Sequence, residues 1–411
     1  MCEIVLTKQK QYTKILLDRT DFVLLFYYCF LTIQEGKYMK PLQIGIVGCG
    51  DVIRLYFPML KDMAVKGELG IACVCDSIEE KAKVAKDWIG ASRYYTDVES
   101  LLKDESVDMV VNLTPIQIHF DIIMKAIKAG KHVYTEKPIA AMVEEADTII
   151  AEAKRQNVYV GCAPPMALHQ DHVRVKQLVD SGVLGKICFA RTTGSNPGPA
   201  WITEFSTDPT WFFKKGGGPI YDLGMYPIQL MVQVLGPAKR VTAFAATSVP
   251  ERVVVAGEAK GKKIRVEVPD NIQIMLDFGE GTFAALDVTY CVLSYKDKPR
   301  LELFGDKGIL YLYQRIEQAI EIFRRDDEVG LRGWMVPEDS FWGACLPAIS
   351  MAGPPTRPFS WAEGVLHLAN CIREGTYPVL SAEFARHALE IAVKAMESAK
   401  TGKAMALTTS F

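Results

Sequence analysis

Short apolar runs alternate with amphipathic stretches between residues 42 and 161. The runs are Leu42–Val47, Gly70–Cys75, Val107–Leu113, Lys131–Tyr134 and Val158–Val160. Between them, Ile78–Trp88, Val98–Lys103, Phe120–Ala129 and Val143–Arg155 read as helices. In the last, Val143, Ala146, Ile149, Ile150 and Ala153 recur at helical spacing. Alternation of this kind predicts a parallel, doubly wound α/β sheet.

Beyond Gly161 the texture changes. A helix is predicted at His172–Asp180, followed by a glycine- and proline-rich stretch, Gly194–Gly218. Then strands dominate: Arg240–Thr247, Lys263–Phe278, Gly281–Val292, Arg300–Phe304 and Ile309–Tyr313, with a Gly279-x-Gly281 turn signal. This predicts a second, α+β domain on a large, mostly antiparallel sheet. Helices at Trp361–Arg373 and from Ala382 to Lys400 close the chain, the latter capped by Ser381 and stopped by Gly402. The expected division is an N-terminal extension over 1–38, a nucleotide-binding domain over 39–161, and a substrate-binding and oligomerisation domain over 162–411.

A chain of 411 residues exceeds one ordinary core, which agrees with two domains. Its 47 Lys and Arg nearly balance 49 Asp and Glu, so no electrostatic footprint for nucleic acid or anionic lipid is present. The ten cysteines show no framework spacing and no Cys-x-x-Cys, which points to a reduced, cytoplasmic setting. Cys73 and Cys75 sit in an apolar run and read as inert core thiols. His169 and His172 lack the further ligands that a metal would need, so no metal is expected. The apolar run Phe22–Ile33 is too short to span a bilayer, and no small-x-small cleavage site follows it. Met39, just ahead of the first strand, is the expected natural start.

The first strand ends in Gly48-Cys49-Gly50-Asp51-Val52-Ile53. One glycine allows a tight turn and the other lets backbone approach a pyrophosphate held at the following helix N-terminus. Ile53 stands where a third small residue is usual. The second run ends at Asp76, a carboxylate placed either for adenosine ribose hydroxyls or to cap the next helix. An acid there favours NAD over NADP. Thr114-Pro115 ends the third run, at the sheet edge where ligands bind.

Four stretches together resemble the glucose–fructose oxidoreductase / inositol dehydrogenase / rhizopine catabolism (Gfo/Idh/MocA) family. They are Gly48-Cys49-Gly50, Thr114-Pro115-x-x-x-His119, Gly130 through Thr135-Glu136-Lys137-Pro138, and Gly216 through Asp222-Leu223-Gly224-Met225-Tyr226. The resemblance implies a Rossmann domain, an open-faced sheet for subunit contact as a homodimer or homotetramer, and an NAD(P)-dependent oxidoreductase of a sugar, polyol or glycoside. It implies catalytic roles for Lys137, Asp222 and Tyr226. The dinucleotide contacts would be Gly48, Gly50, Asp51, Val52, Ile53, Asp76, Thr114, Pro115, His119, Glu136 and Lys137. A neighbouring ammonium is expected to lower the Tyr226 phenol and make it a base.

Bland readings stand beside these. Tyr226 could be a core tyrosine, Asp222 a helix cap and His119 a helix-opening residue. Pro227 also argues against helical geometry at Tyr226. Pro164, Pro165, Met166, His169, Trp201 and Trp211 would surround the substrate. Pro164-Pro165-Met166 replaces a basic residue of many relatives, so a neutral rather than phosphorylated or carboxylated sugar is expected. Two other functions fit the resemblance: a non-catalytic NAD-binding regulator, and a lyase or glycosidase using transient sugar oxidation.

Overall fold

The computed structural model describes residues 2–8, 11–17, 41–313, 319–325, 332–335, 360–409 and 411. The apolar run Phe22–Ile33 and Met39 lie outside the described residues. Strands β1 (Cys2–Lys8) and β2 (Gln11–Leu17) pair as an antiparallel hairpin, within a unit Met1–Pro41 separate from Leu42–Phe411.

In the larger unit, β3 (Gln43–Val47) sits at the centre of a parallel sheet. On one side lie β4 (Gly70–Cys75) and β5 (Arg93–Tyr95), and on the other β6 (Met109–Asn112), β7 (His132–Thr135) and β8 (Val160–Cys162). Ile44, Ile46, Val110 and Val111 are wholly buried, because helices cover both faces. These helices include α1 (Ile53–Val65), α2 (Glu79–Ile89), α3 (Val98–Leu102), α4 (His119–Lys128) and α5 (Val143–Gln156). Cys73 and Cys75 are buried, and burial pushes both thiols up to about 12.

The strands of the second sheet are β9 (Ile187–Ser195), β10 (Arg240–Ala246), β13 (Asn271–Gly279), β14 (Thr282–Thr289), β15 (Leu301–Gly305), β16 (Gly308–Leu312), β17 (Ile320–Arg325), β18 (Arg332–Met335) and β19 (Met405–Ala406). Their order across the sheet is β18-β17-β16-β15-β9-β14-β13-β10-β19 among the described residues. Only the β14–β9 pairing is parallel. The expected single strand Lys263–Phe278 is two. Pro269 cannot donate to a ladder, so β12 (Lys263–Arg265) turns away and pairs with β11 (Glu251–Val253). Strand β9, which runs into the glycine- and proline-rich stretch, is not among the expected strands.

One face of this sheet is packed by α6 (Gln170–Asp180), α8 (Met225–Leu235) and α10 (Ala382–Thr401). Helix α10 is shared. Phe384, Ala388 and Ile391 enter the core of the large sheet, whereas Ala382, Ala385 and Leu389 enter that of the parallel sheet. Ser381 accepts from the Phe384 amide at 3.2 Å and Gly402 is left-handed, so both ends are capped as expected. Helix α9 (Glu363–Glu374) buries Val365, Leu368 and Ala369 against the parallel sheet. The opposite face of the large sheet leaves Phe244, Met275 and Phe283 exposed.

Candidate active site

The C-terminal edge of the parallel sheet collects most of the expected residues. At its centre Gly48 adopts φ +97, and a Cβ there would lie 2.8 Å from the Leu113 carbonyl. Only glycine fits that turn. Gly50 faces open space: a Cβ would meet nothing within 4 Å. Helix α1 follows, with Val52 at its N-cap and no side chain closing its first turn. The amides of Ile53, Arg54 and Leu55 bond back to the Gly50, Asp51 and Val52 carbonyls at 3.3, 3.4 and 3.0 Å. Asp51 pairs with Arg54 and accepts from Ser206 at 3.2 Å, while Ile53 is buried in the core.

Asp76 does two jobs. One oxygen accepts from the Cys49 amide inside the glycine turn and the other from the Ile78 amide, each at 2.9 Å. It ties the turn to the start of α2 and presents its remaining lone pairs at the edge. The Thr114 hydroxyl bonds Asn112 at 2.7 Å, and Pro115 leads into the turn before α4. His119 is buried, with its ring nitrogens 2.8 Å from the Pro138 carbonyl and 2.7 Å from the Thr114 carbonyl. It clamps two edge loops together, and burial holds its pKa below the ordinary histidine value.

The segment after β7 carries Glu136 and Lys137. The Glu136 carboxylate accepts from Tyr56 at 2.6 Å and from the Lys137 amide at 2.9 Å. The Lys137 ammonium crosses to the second domain. It donates to the Asp222 carbonyl at 2.6 Å and the Asp222 carboxylate at 3.2 Å, and lies 5.2 Å from the centre of the Tyr226 ring. Lys137, Asp222 and Tyr226 are thus brought together from segments far apart in sequence.

Pro227 does not prevent helical geometry at Tyr226. Asp222 ends a short helix, α7 (Pro219–Asp222), and Tyr226 occupies the first turn of α8. A proline there removes only an amide that has no partner in the helix. The Tyr226 ring meets Trp361 edge-on at 5.7 Å.

The electrostatics correct one expectation. Burial raises the Tyr226 phenol above the ordinary tyrosine value, and the Lys137 ammonium offsets this only in part. For Lys137, burial works to lower the pKa, but Tyr226, Asp222 and Glu136 prevail and raise it. Both groups therefore hold their protons at neutral pH.

Around this centre, Met166 and His172 line a small cavity with Tyr226 and Arg300. Pro165 is buried beside Met166, and Pro164 leads into their turn. His169 caps α6, its Nδ1 accepting from the Asp171 amide at 3.3 Å. Trp201 packs on the Arg252 guanidinium at 4.0 Å, within the small core under β11 and β12. Trp211 is half exposed and stacks on Phe212 at 3.7 Å. Neither tryptophan lines that cavity. Sequence reading missed Tyr290, whose hydroxyl donates to Asp222 at 2.8 Å, and Arg300. Neither sits in a motif; each reaches the site only through the sheet. Among the described residues no cluster of His, Cys, Asp or Glu could hold a metal, and no helix is long and apolar enough to cross a membrane.

Comparison with known proteins agrees with this geometry. Residues 42–163 match the model of an oxidoreductase family with an NAD-binding Rossmann fold, and residues 172–311 match the GFO/IDH/MocA C-terminal domain. The chain is 24% identical over 295 residues to myo-inositol 2-dehydrogenase of Thermotoga maritima, covering 71% of this chain and 80% of that protein. It is 25% identical over 392 residues to scyllo-inositol 2-dehydrogenase (NADP(+)) of Bacillus subtilis, covering 92% and 99%. An Agrobacterium radiobacter oxidoreductase, solved with NAD+, L-tartaric acid and magnesium, superposes with a TM-score of 0.70 at 21% identity, covering 89% and 98%.

Proposed function

The chain belongs to the Gfo/Idh/MocA oxidoreductase family, and from that premise we propose that Lys137, Asp222 and Tyr226 transform a secondary alcohol or ketone of a sugar or polyol. The observation that carries this reading is the meeting of the three side chains at the ligand-binding edge of the parallel sheet. Relatives named as inositol, levoglucosan and xylose dehydrogenases support the substrate class.

The residues present fit a dinucleotide. Gly50 leaves room for close approach, and the acid at Asp76 would repel a 2′-phosphate. NAD is therefore the proposed partner, held by Gly48, Gly50, Asp51, Val52, Ile53, Asp76, Thr114, Pro115, His119, Glu136 and Lys137. When bound, the nicotinamide supplies the hydride chemistry.

The protein's part is to place charge and move a proton. The Lys137 ammonium stabilises negative charge as it grows on the reacting oxygen. Asp222 holds that ammonium in place. In the reducing direction the Tyr226 hydroxyl, which has no protein partner among the described residues, gives its proton to that oxygen. Residues 39–161 serve the cofactor and 162–411 the substrate. The exposed Phe244, Met275 and Phe283 support pairing of copies through the large sheet.

The test is NAD reduction across a sugar and polyol panel by the native chain and Lys137→Met, with NADH binding followed by fluorescence. The variant is expected to lose roughly 10²–10⁴-fold in kcat while still binding NADH, more weakly than the native chain. Equal turnover by both proteins would overturn it.

A further inference from the structure

Arg300 leads into β15 and is fixed there by its backbone: its amide donates to the Leu312 carbonyl at 2.6 Å and its carbonyl accepts from the Thr192 hydroxyl at 2.9 Å. Its guanidinium has no acidic partner and no side-chain hydrogen bond among the described residues. It lines a small pocket with Met166, His172, Tyr226, Pro227 and Leu230. Burial pushes its pKa below the ordinary arginine value. The group nevertheless stays charged, because guanidinium does not deprotonate in proteins. A largely buried, unpaired cation is costly unless something arrives to pair with it.

Two further polar groups on the same walls lack protein partners. His172 is buried and its Nδ1 has no hydrogen bond. Its other contact is to the Met166 carbonyl, which requires a proton on Nε2 and leaves Nδ1 an acceptor. The Tyr226 hydroxyl is the second. The cavity thus offers a forked cation, a neutral acceptor and a hydroxyl. The pocket is open to solvent on one side and its enclosed part admits about one water, so these groups can meet one end of a ligand but cannot enclose a whole sugar ring. Tyr226 is the shared wall, with Lys137 5.2 Å from its ring on the catalytic side.

We propose that Arg300 seats a carboxylate of the substrate, with His172 Nδ1 accepting from an adjacent hydroxyl, so that the substrate is a sugar acid of the aldonate or uronate class. This rests on the oxidoreductase reading and reverses the expectation of a neutral sugar drawn from Pro164-Pro165-Met166. The cation arrives from the second sheet, beside Met166, instead of from the loop after β8. Guanidinium and carboxylate pair in a fork that an ammonium cannot reproduce.

The test is calorimetric binding, with NADH present, of D-gluconate and D-glucuronate against D-glucitol, D-glucose and D-glucose 6-phosphate. Native protein, Arg300→Met and Arg300→Lys are compared. The native chain binds the carboxylates at least about tenfold more tightly than the neutral sugars. Arg300→Met loses that preference by about 10–100-fold, and Arg300→Lys recovers only part of it. NADH affinity is unchanged in all three, and Arg300→Met melts no lower than native, since no ion pair is broken. Equal binding of neutral sugars, a preference for the phosphate, or a marked fall in melting temperature of Arg300→Met each overturns the proposal. Loss of NADH binding in the native chain would instead overturn the parent reading.

Discussion

Tyr290 donates its hydroxyl to one Asp222 carboxylate oxygen at 2.8 Å, while Lys137 faces the other at 3.2 Å. The strand wall of the second domain therefore positions the ammonium presented by the first. Tyr290 is buried, against Phe213 and Gly198, and cannot swing away. Replacing it by phenylalanine preserves the packing and removes the donor. Tyr290→Phe should lower kcat by about tenfold or more with the cofactor KM unchanged. A fall in melting temperature with unaltered kcat would mean that the hydroxyl serves only the fold.

The two glycines of the turn separate folding from binding. Gly48→Ala forces alanine to φ +97 and against the Leu113 carbonyl, at a cost of at least about 1–2 kcal/mol. It should melt lower. Gly50→Ala meets no protein atom within 4 Å, so its melting temperature should hold while NADH binding weakens by about tenfold, or about 1.4 kcal/mol. Unchanged NADH affinity in Gly50→Ala would remove the dinucleotide from this turn.

Asp76 controls the choice between cofactors. Asp76→Ser keeps an acceptor for one of the two amides and removes the charge. The ratio of NADP to NAD efficiency should rise by about tenfold or more. An unaltered ratio in steady-state kinetics would leave Asp76 with the loop-tying role alone.

Acid should destabilise the fold early. All six histidines have pKa values held down by burial, His172 to about 3 and His387 to about 4. Below the ordinary value of 6.5 the unfolded chain takes protons that the folded chain refuses. Stability is therefore present above that pH and is lost as pH falls toward 3. For each fully buried ring the loss is at most about 1.4 kcal/mol per pH unit across that window. Glu390 and Asp277, whose values are also lowered, act in the same direction. Melting temperature should fall steadily from about pH 6.5 to about pH 4; a flat profile would contradict the buried, neutral state of these rings.

The parallel sheet was legible because its strands are continuous apolar runs and its helices have a clean apolar face. Gly48, Asp76 and Lys137 were legible because each follows such a run. The second domain was harder. Pro269 splits a strand that its apolar pattern made single, and Pro227 argued against the helical geometry at Tyr226 that the first turn of α8 tolerates. Tyr290 and Arg300 carry no local signal. Their place at the site follows from sheet pairing with β9 and β13, a property of the whole fold. The Tyr226 pKa departs from expectation for a related reason: sequence shows the ammonium nearby but not the depth of burial that outweighs it.

The most direct measurement is a crystal structure of the chain grown with NADH. The account places the pyrophosphate over Gly48 and Gly50 and the nicotinamide ring against Lys137. A dinucleotide bound elsewhere, or a ring turned away from Lys137 and Tyr226, would contradict it.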